Sequence, residues 1–392
     1  MRRWILVIVC VGLGGGTSLT ASGEEAASTG RTIQVGPGKT YAKLSQAVRA
    51  ARDGDVIEID AEGDYAGDVC LIRPANLTLR GVGKGRARFP AAGKHYGGKA
   101  IWVTRGNNIT VENIAFSGCR VRDRNGAGIR AEGRNLTVRN CRFHDCEDGI
   151  LGGSGTVLIE TSEFSACGLD GRSHNLYIGR ADKLIFRHNF THHAKVGHLL
   201  KSRAKENHIL YNFFTDGKTG SSSYMINLPN AGRSFIIGNV LAQGARTQNS
   251  TLIAYGEEGV KNPAELYVVN NTLVNNRHRG VFVNPRKLPA EARVVLRNNI
   301  FAGRGTVCTW PGAVKEGNYT GPDPHFVDRD KEDFRLKPTS PCIGQGVEPG
   351  KVGRVSLAPV FEYVHLHARR PRPKDTKIDI GAYEVKPPRL ID

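Results

Sequence analysis

One short segment contains groups that could bind an anion and accept a proton. In the run HLLKSRA, Lys201 and Arg203 alternate with Leu200 and Ser202, which is the side-chain period of a β-strand. Unpaired cations are not buried, so Lys201 and Arg203 should point outward on one face, about 6.5–7 Å apart. Arginine can bind a carboxylate, and a lysine beside other cations can act as a base. With the neighbouring His198 they form the predicted catalytic set.

This segment lies within a repeat. A short β-branched run, a polar pair that often contains Asn, and an apolar residue recur at intervals of 21 to 32 residues. The aligned positions are Ile114, Cys141, Ser162, Asn189, Asn212, Asn239, Asn271 and Asn299. A second short run lies between them, and helical stretches of matching period are missing. Two or three short strands per repeat predict an all-β fold, a parallel β-helix solenoid.

The Asn column has a structural reading. In five consecutive repeats Asn takes the same place, and coils stacked about 4.8 Å apart would let these amides bond to one another and to turn backbone. The Asn-x-Thr sequons at Asn76, Asn108 and Asn135 also fall on the repeat. We interpret them as part of the coil turns rather than as glycosylation sites.

The two ends of the solenoid require covers. Leu44, Ala47, Val48 and Ala51 have helical spacing and predict an N-terminal capping helix, followed by a turn and a strand. The proline-rich C-terminal part has lost the repeat and predicts an irregular wrap over the far end. The predicted divisions are a signal peptide at 1–23, a β-helix domain at 31–345 and a C-terminal extension at 346–392.

Neighbouring coils should add side chains to the face that carries Lys201. Leu199 is assigned to this face, and an offset of 23 residues places Ile178 beside Lys201 and Arg180 beside Arg203. The following coils bring Asn227 to Asn230 alongside, and then Tyr255, Glu257 and Glu258. The predicted substrate-binding residues are His174, Tyr177, Arg180, His193, Asn227, Asn230 and Tyr255.

A stripe of Arg, Lys, His, Tyr and Asn suits a uronate-containing polysaccharide. β-Elimination requires neutralisation of the uronate carboxylate, a base for the adjacent proton and an acid for the leaving oxygen. Lys201 is the predicted base and Arg203 the carboxylate-binding residue. Tyr177, Tyr224 or Tyr255 could protonate the leaving oxygen. A plain solvated face is the alternative reading of the same charges.

Longer segments carry a family resemblance. The opening TIQVGPGKTYAKLSQAVRAARDGDVIEI, the coils, and the closing DFRLKPTSPCIGQG and DIGAYE resemble the pectate-lyase-like superfamily of right-handed parallel β-helices. Within it the chain is most similar to the chondroitinase-B and alginate-lyase branch. The resemblance covers almost all of the chain after the signal peptide. It implies a polysaccharide lyase, although the fold also carries hydrolases, epimerases and binding modules.

The resemblance assigns the base and also shows departures. In chondroitinase-B-like lyases a Lys-Ser pair supplies the base, and LLKSRAKENHILYNFF matches with Lys201 at that position. The family's arginine one coil later falls here near Leu228 or Pro229, so it is absent. The acidic calcium ligands expected before the lysine strand are also absent from HAKVGH. No cofactor or metal site is therefore predicted, and calcium remains open.

Several functions stay open at this stage. A lyase is the first hypothesis, and a uronate epimerase shares its proton abstraction. A glycoside hydrolase would need paired carboxylates, and its candidates, Asp170, Asp216, Glu257 and Glu258, are scattered in the sequence. A non-catalytic glycan-binding module is the fourth reading.

Composition and the N-terminus bear on partner and location. The formal net charge of +18 favours an acidic partner, here an acidic polysaccharide. Two arginines, an apolar run from Trp4 to Leu13 and small residues have the layout of a signal peptide. We expect a secreted or periplasmic monomer with no membrane insertion and no nucleic-acid partner. Seven cysteines remain after Cys10, and we interpret them mainly as small buried residues with one or two possible bridges.

Overall fold

A computed structural model describes residues 30–374 and 377–385, so the predicted signal peptide lies outside the described residues. No helix among the described residues is long and apolar enough to cross a membrane. One α-helix, α1 (Leu44–Ala50), and one 3-10 helix (Arg329–Lys331) accompany many short strands. The strands are β1 (Thr32–Val35), β2 (Val56–Asp60), β3 (Cys70–Ile72), β4 (Thr78–Val82), β5 (Ala87–Pro90), β6 (Ala100–Thr104), β7 (Ile109–Glu112), β8 (Ile114–Ser117), β9 (Ala127–Arg139), β10 (Arg142–His144), β11 (Asp148–Glu160), β12 (Glu163–Ser165), β13 (Leu176–Ile178), β14 (Lys183–Arg187), β15 (Phe190–His192), β16 (Leu200–Ser202), β17 (Glu206–Leu210), β18 (Phe213–Thr215), β19 (Ile226–Leu228), β20 (Arg233–Ile237), β21 (Val240–Gln243), β22 (Thr251–Tyr255), β23 (Glu265–Val269), β24 (Thr272–Asn275), β25 (Val281–Pro285), β26 (Arg293–Arg297), β27 (Ile300–Ala302), β28 (Thr306–Cys308), β29 (Val314–Glu316), β30 (Tyr319–Gly321), β31 (Phe326–Asp328), β32 (Asp333–Leu336), β33 (Lys351–Val352), β34 (Val355–Ser356), β35 (Phe361–Val364) and β36 (Ala368–Pro371).

Strands β1 to β30 form a parallel β-helix with three faces, which confirms the predicted fold class. The first face contains β3, β6, β13, β16, β19, β22, β25 and β28. The second contains β1, β2, β4, β7, β14, β17, β20, β23, β26 and β29, and the third β5, β8, β10, β12, β15, β18, β21, β24, β27 and β30. The long strands β9 and β11 turn the corner between the first and second faces, so they join these two faces into one sheet.

The interior is filled by columns of like residues. Phe116, Phe143 and Phe164 occupy one inward position of successive third-face strands and stack with ring centroids 5.0 and 4.8 Å apart. Burying such a ring contributes about 1.5–3 kcal/mol, and stacking adds about 0.5–1.5 kcal/mol. The column forms because every second residue of a strand points inward and parallel strands align equivalent positions.

The predicted Asn ladder is confirmed at the corner between the second and third faces. Asn239 Nδ2 donates to Asn271 Oδ1 at 3.0 Å, and Asn212 Nδ2 donates to Asn239 Oδ1 at 2.9 Å. The ladder runs from Asn189 on to Asn318, one coil beyond the sequence prediction. A second, exposed ladder joins the sequon residues Asn76, Asn108 and Asn135, at 2.8 Å per bond.

The predicted N-terminal helix is also confirmed. Leu44, Ala47 and Val48 are buried in the main core, at the spacing that the sequence indicates. The carboxylate of Asp68 accepts hydrogen bonds from the backbone N–H groups of Leu44 and Ser45, at 2.6 and 3.2 Å. This partner satisfies two of the N–H groups that a helix N-terminus leaves free.

The C-terminal segment, which follows β30 and is described at residues 322–374 and 377–385, lies along the sides of the solenoid rather than over its end alone. Phe334 and Tyr363 pack on Phe213 of the third face, and Leu357 packs on the outer side of the second face with Tyr267. The contacts of its described part are with these two faces and the corner between them. The first face therefore stays open beside Lys201. The division at residue 345 remains a prediction.

The seven cysteines of the described residues are buried and free: Cys70, Cys119, Cys141, Cys146, Cys167, Cys308 and Cys342. They behave as small apolar residues of the core, as the sequence suggests, but none of the possible bridges is formed among them.

Candidate active site

The candidate site is formed by outward-facing side chains at one aligned position of the first-face strands. Lys201 of β16 pairs with Tyr177 of β13 on one side and with Asn227 of β19 on the other, and Ala254 of β22 follows. The predicted offset of 23 residues was wrong by one, because Ile178 aligns with Ser202 and both point inward. Tyr177 is thus the direct neighbour of Lys201.

Three other residues that the sequence places on the face of Lys201 lie elsewhere in the structure. Leu199 is fully buried in the core, before β16 begins, and does not share the outward face. Arg180 is exposed beyond the end of β13, and the observed register brings Gly179, not Arg180, level with Arg203. Tyr255 aligns with the inward Leu228, is fully buried, and donates from its hydroxyl to the backbone oxygen of Gly232 at 2.7 Å.

His193 also lies elsewhere. It follows β15 on the third face, and its Nδ1 lies 2.8 Å from Nδ1 of His192. The sequence predicts that His193 lies close to Lys201 because only four residues separate it from His198. Those residues turn the corner between two faces, so the two histidines belong to different surfaces.

Lys201 and Arg203 hold one carboxylate between them. Lys201 Nζ lies 3.4 Å from Glu258 Oε1, and Arg203 Nη2 lies 2.6 Å from Glu258 Oε2. The Lys201 and Arg203 side chains are only 13% and 19% exposed, whereas that of Glu258 is 42% exposed. The cations are therefore fixed in the wall of the site, and the carboxylate reaches them from its solvent side.

Arg203 is oriented by two neutral neighbours. Its Nε donates to the Tyr177 hydroxyl at 2.7 Å, and its Nη1 donates to Asn230 Oδ1 at 2.5 Å. The Tyr177 ring also faces both cations, with its centroid 5.2 Å from Lys201 Nζ and 5.7 Å from Arg203 Cζ. Cation–π contact and the two hydrogen bonds preorganise the guanidinium toward Glu258.

Glu258 is placed by a turn after β22. The turn begins at Gly256, whose φ of +77° is in the left-handed region that glycine adopts without strain. The N–H of Glu258 donates to Pro229 O at 3.0 Å, and Asn230 Nδ2 donates to Gly259 O at 3.2 Å. The neighbouring coil thus holds the turn against the cation pair.

The adjacent carboxyl groups Glu257 and Glu258 have opposite pKa shifts. Burial raises the pKa of Glu257, although the hydrogen bond from Asn227 Nδ2 and the charge of Lys201 oppose the shift. Burial also acts to raise the pKa of Glu258, but Arg203 and Lys201 outweigh it and the pKa is lowered. Neither glutamate was among the predicted site residues, although the sequence placed both on this face. The run Glu257-Glu258-Gly259, which follows a predicted strand, is the sequence feature that could have identified them.

Two stacked histidines border the cation pair. The rings of His174 and His198 lie 4.4 Å apart and nearly parallel. His174 Nδ1 accepts from the His198 backbone N–H at 3.0 Å, and His198 Nδ1 accepts from the Tyr224 N–H at 3.3 Å. An Nδ1 that accepts assigns the proton to Nε2 in the neutral ring. Burial, together with the charge of Lys201, lowers the pKa of His198 to about 3, and burial lowers that of His174.

The catalytic role of His198 stays a prediction, and the lowered pKa limits the step that it could serve. A neutral imidazole can donate an Nε2 hydrogen bond to a substrate but is a poor general acid near neutral pH. The fixed cations of the site are Lys201 and Arg203. The stacked rings of His174 and His198 lie next to these cations.

Asp148 lies near His174 and was not predicted from the sequence as a site residue. It is 1% exposed at the start of β11, and its carboxyl accepts from the His174 backbone N–H at 2.8 Å. Burial raises the pKa of Asp148, although the charges of Arg130 and Lys201 oppose the shift. Its position two coils from Lys201 depends on the corner that β11 turns, and the sequence gives no sign of that corner.

The other acidic candidates lie outside this site. Asp170 is exposed and pairs with Arg124 at 2.6 Å. Asp216 is buried after β18, where its Oδ2 accepts from the Ser222 hydroxyl at 2.7 Å.

A calcium site does not fit the residues near Lys201. Glu258 is bound to the cation pair, Glu257 to Asn227, and Asp148 is buried. Across the described ranges, no group of three or more His, Cys, Asp or Glu could hold a metal ion.

The three faces of stacked parallel strands define a parallel β-helix protein. The family model for the right-handed β-helix region matches residues 93–214 and 151–313, so the chain belongs to that family. A solved structure described as pectate lyase Pel9A is similar over 92% of this chain and 98% of its own, with a TM-score of 0.59 and 17% identity. That likeness shows the right-handed fold. No curated protein matches the sequence.

Proposed function

We propose that this protein is a polysaccharide lyase that cleaves an acidic, uronate-containing polysaccharide by β-elimination. The observation that carries the proposal is the Glu258 carboxylate bound between Lys201 and Arg203 on the open face. A pair that holds one carboxylate can hold another, and the uronate carboxylate is the group that elimination must neutralise.

Arg203, Lys201 and Tyr177 would each serve a different step of the elimination. The substrate carboxylate displaces the exposed Glu258 and binds Arg203, which makes the adjacent C–H more acidic. Lys201 gives up its own proton to solvent once Glu258 is displaced, and its uncharged Nζ then takes the proton from that carbon. The Tyr177 hydroxyl accepts from Arg203 Nε, so its own proton is free to pass to the leaving glycosidic oxygen. The C–O bond breaks, and a double bond forms in the new terminal uronate.

Other features support a glycan substrate of negative charge. The solved neighbour carries the name of a pectate lyase on the same fold. The net charge of +18 favours attraction of a polyanion. We also propose export by the N-terminal segment and action as a secreted or periplasmic monomer, since acidic polysaccharides of this class are extracellular materials.

The test is a substrate panel. The mature protein is incubated with alginate, pectate, dermatan sulfate and bacterial exopolysaccharides, each with and without EDTA. A lyase produces the ultraviolet absorbance of an unsaturated uronate. If no substrate of the panel yields it, while reducing ends appear or the uronate is inverted, a hydrolase or an epimerase replaces the lyase.

A glycoside hydrolase is the second candidate, and one observation favours it. Glu257 and Glu258 have pKa values displaced in opposite directions, which is the pattern of an acid and an ionised partner. In that case Glu257→Gln would abolish cleavage, and the products would lack the unsaturated bond.

A further inference from the structure

A second cavity lies on another side of the molecule from Lys201. It has a volume of about 490 Å³ and lies between the third face and the C-terminal segment. Phe190 and Phe213 of adjacent strands β15 and β18 supply rings on one side. Phe334 and Tyr363 of the C-terminal segment supply rings on the other. Pockets of this size hold small ligands.

Burial disfavours the charged form of three side chains that line this cavity. Burial lowers the pKa values of His193 and His365, and burial raises that of Glu332. Thr215 Oγ1 donates to Glu332 Oε1 at 2.5 Å. His193 Nδ1 contacts His192, and no hydrogen-bond partner of its Nε2 is found within the described ranges. The Nε2 atom of His193 is therefore available for a hydrogen bond to a ligand.

The cations that line the cavity already have partners. Arg335 pairs with Asp333 at 2.5 Å, and Arg370 pairs with Glu362 at 2.6 Å. Lys331 pairs with Asp328 at 3.2 Å. A charged ligand would have to compete for these partners, whereas a neutral ligand need not.

We propose that this cavity binds an uncharged sugar ring, as a carbohydrate site separate from the site of Lys201 and Arg203. The apolar face of a pyranose would pack on the phenylalanine edges, and its hydroxyl groups would bond to His193 Nε2 and to Glu332. The cavity lies on the third face, whereas Lys201 and Arg203 lie on the first, so the two sites take different residues of a glycan. The proposal does not depend on the elimination chemistry.

The test uses the mature protein and methyl glycosides of glucose, galactose, mannose and N-acetylglucosamine, with glucuronate as the charged comparison. Saturation-transfer NMR and calorimetry should show saturable binding of at least one neutral glycoside and weaker binding of glucuronate. His193→Ala keeps a Cβ in the same left-handed backbone, so it should fold while weakening binding about fivefold.

Two further variants keep the result interpretable. Phe334→Leu preserves apolar packing but removes a ring, and should also weaken the neutral glycoside. Lys201→Ala changes the other face and should leave this affinity unaltered. Lack of saturable binding by every neutral glycoside, preference for glucuronate, or full affinity in both cavity variants would overturn the proposal. Uptake of a hydrophobic dye with no glycoside binding would overturn it too.

Discussion

At the scale of single residues, Lys201 and Arg203 have different chemistry although both are cations. Arg203 stays charged and is fixed by Tyr177 and Asn230, which suits a carboxylate clamp. Lys201 has one nitrogen on a flexible stem and can exchange a proton. Glu258 occupies both, so its carboxylate competes with the proposed substrate.

Glu258→Gln should improve substrate binding. Removing the competing charge frees Arg203, and a partly exposed ion pair contributes about 0.2–1 kcal/mol, so KM for an acidic oligosaccharide should fall by a factor of about 1.4 to 5. Initial rates over a range of substrate concentration measure this, with the exposed Glu291→Gln as the control. A raised KM would show that Glu258 assists the substrate instead of competing with it.

The buried carboxyl group of Asp216 should make the stability of the protein depend on pH. Burial raises its pKa from 3.8 to about 6, so the folded state binds more protons than the unfolded state between these values. Stability therefore falls as pH rises through this window, by up to about 3 kcal/mol.

Asp216→Asn removes that titration. The variant should lose less stability than the wild type from below pH 3.8 to above pH 6, which urea midpoints at several pH values would measure. Parallel stability profiles for the two proteins would contradict this assignment.

At the scale of elements, the buried Asn ladder fixes the corner that follows each second-face strand. Asn239 donates to Ile209 O at 2.7 Å and to Asn271, and accepts from the Asn212 backbone N–H at 2.9 Å. Its loss leaves buried groups without partners, which costs about 1–3 kcal/mol for each group.

Asn239→Ala should lower the free energy of unfolding by about 3 kcal/mol. Urea denaturation followed by circular dichroism measures it. The control is Asn135→Gly on the exposed ladder, because glycine tolerates the left-handed φ of +61° there and water replaces the lost bonds, so the decrease should be much smaller. Equal destabilisation by the two variants would mean that burial of the ladder does not matter.

The sequence predicts the coils, the capping helix and the Asn ladder because each depends on local spacing. It does not predict register between coils, because turn lengths vary and the repeat runs from 21 to 32 residues. A slip of one residue exchanges the inward and outward faces. For that reason Tyr177 was the neighbour of Lys201 and Ile178 was not, and Tyr255 turned out to be a core residue.

At the scale of the whole molecule, the C-terminal segment covers parts of two faces and leaves the first beside Lys201 open. The sequence shows that the repeat ends but not which side the remaining chain covers, since that depends on apolar residues that are far apart in sequence. Phe213 and Phe334, for example, are separated by more than a hundred residues yet pack together.

The net charge of +18 predicts a salt effect. Attraction of a polyanion to an exposed cationic surface is screened beyond about 8–10 Å at physiological ionic strength, so KM should rise with added NaCl while kcat changes little. Steady-state kinetics at several salt concentrations measure this. A KM independent of salt would place the recognition in uncharged contacts.

The most direct test of the proposed elimination site compares two lysines of one coil. Lys201→Ala should abolish formation of unsaturated uronate and leave the circular dichroism spectrum unchanged. Lys205→Ala, which removes an exposed lysine paired with Asp182 at 2.9 Å, should retain the wild-type rate. Turnover of a uronate polymer by Lys201→Ala at the rate of the Lys205→Ala protein would contradict the assignment of the base.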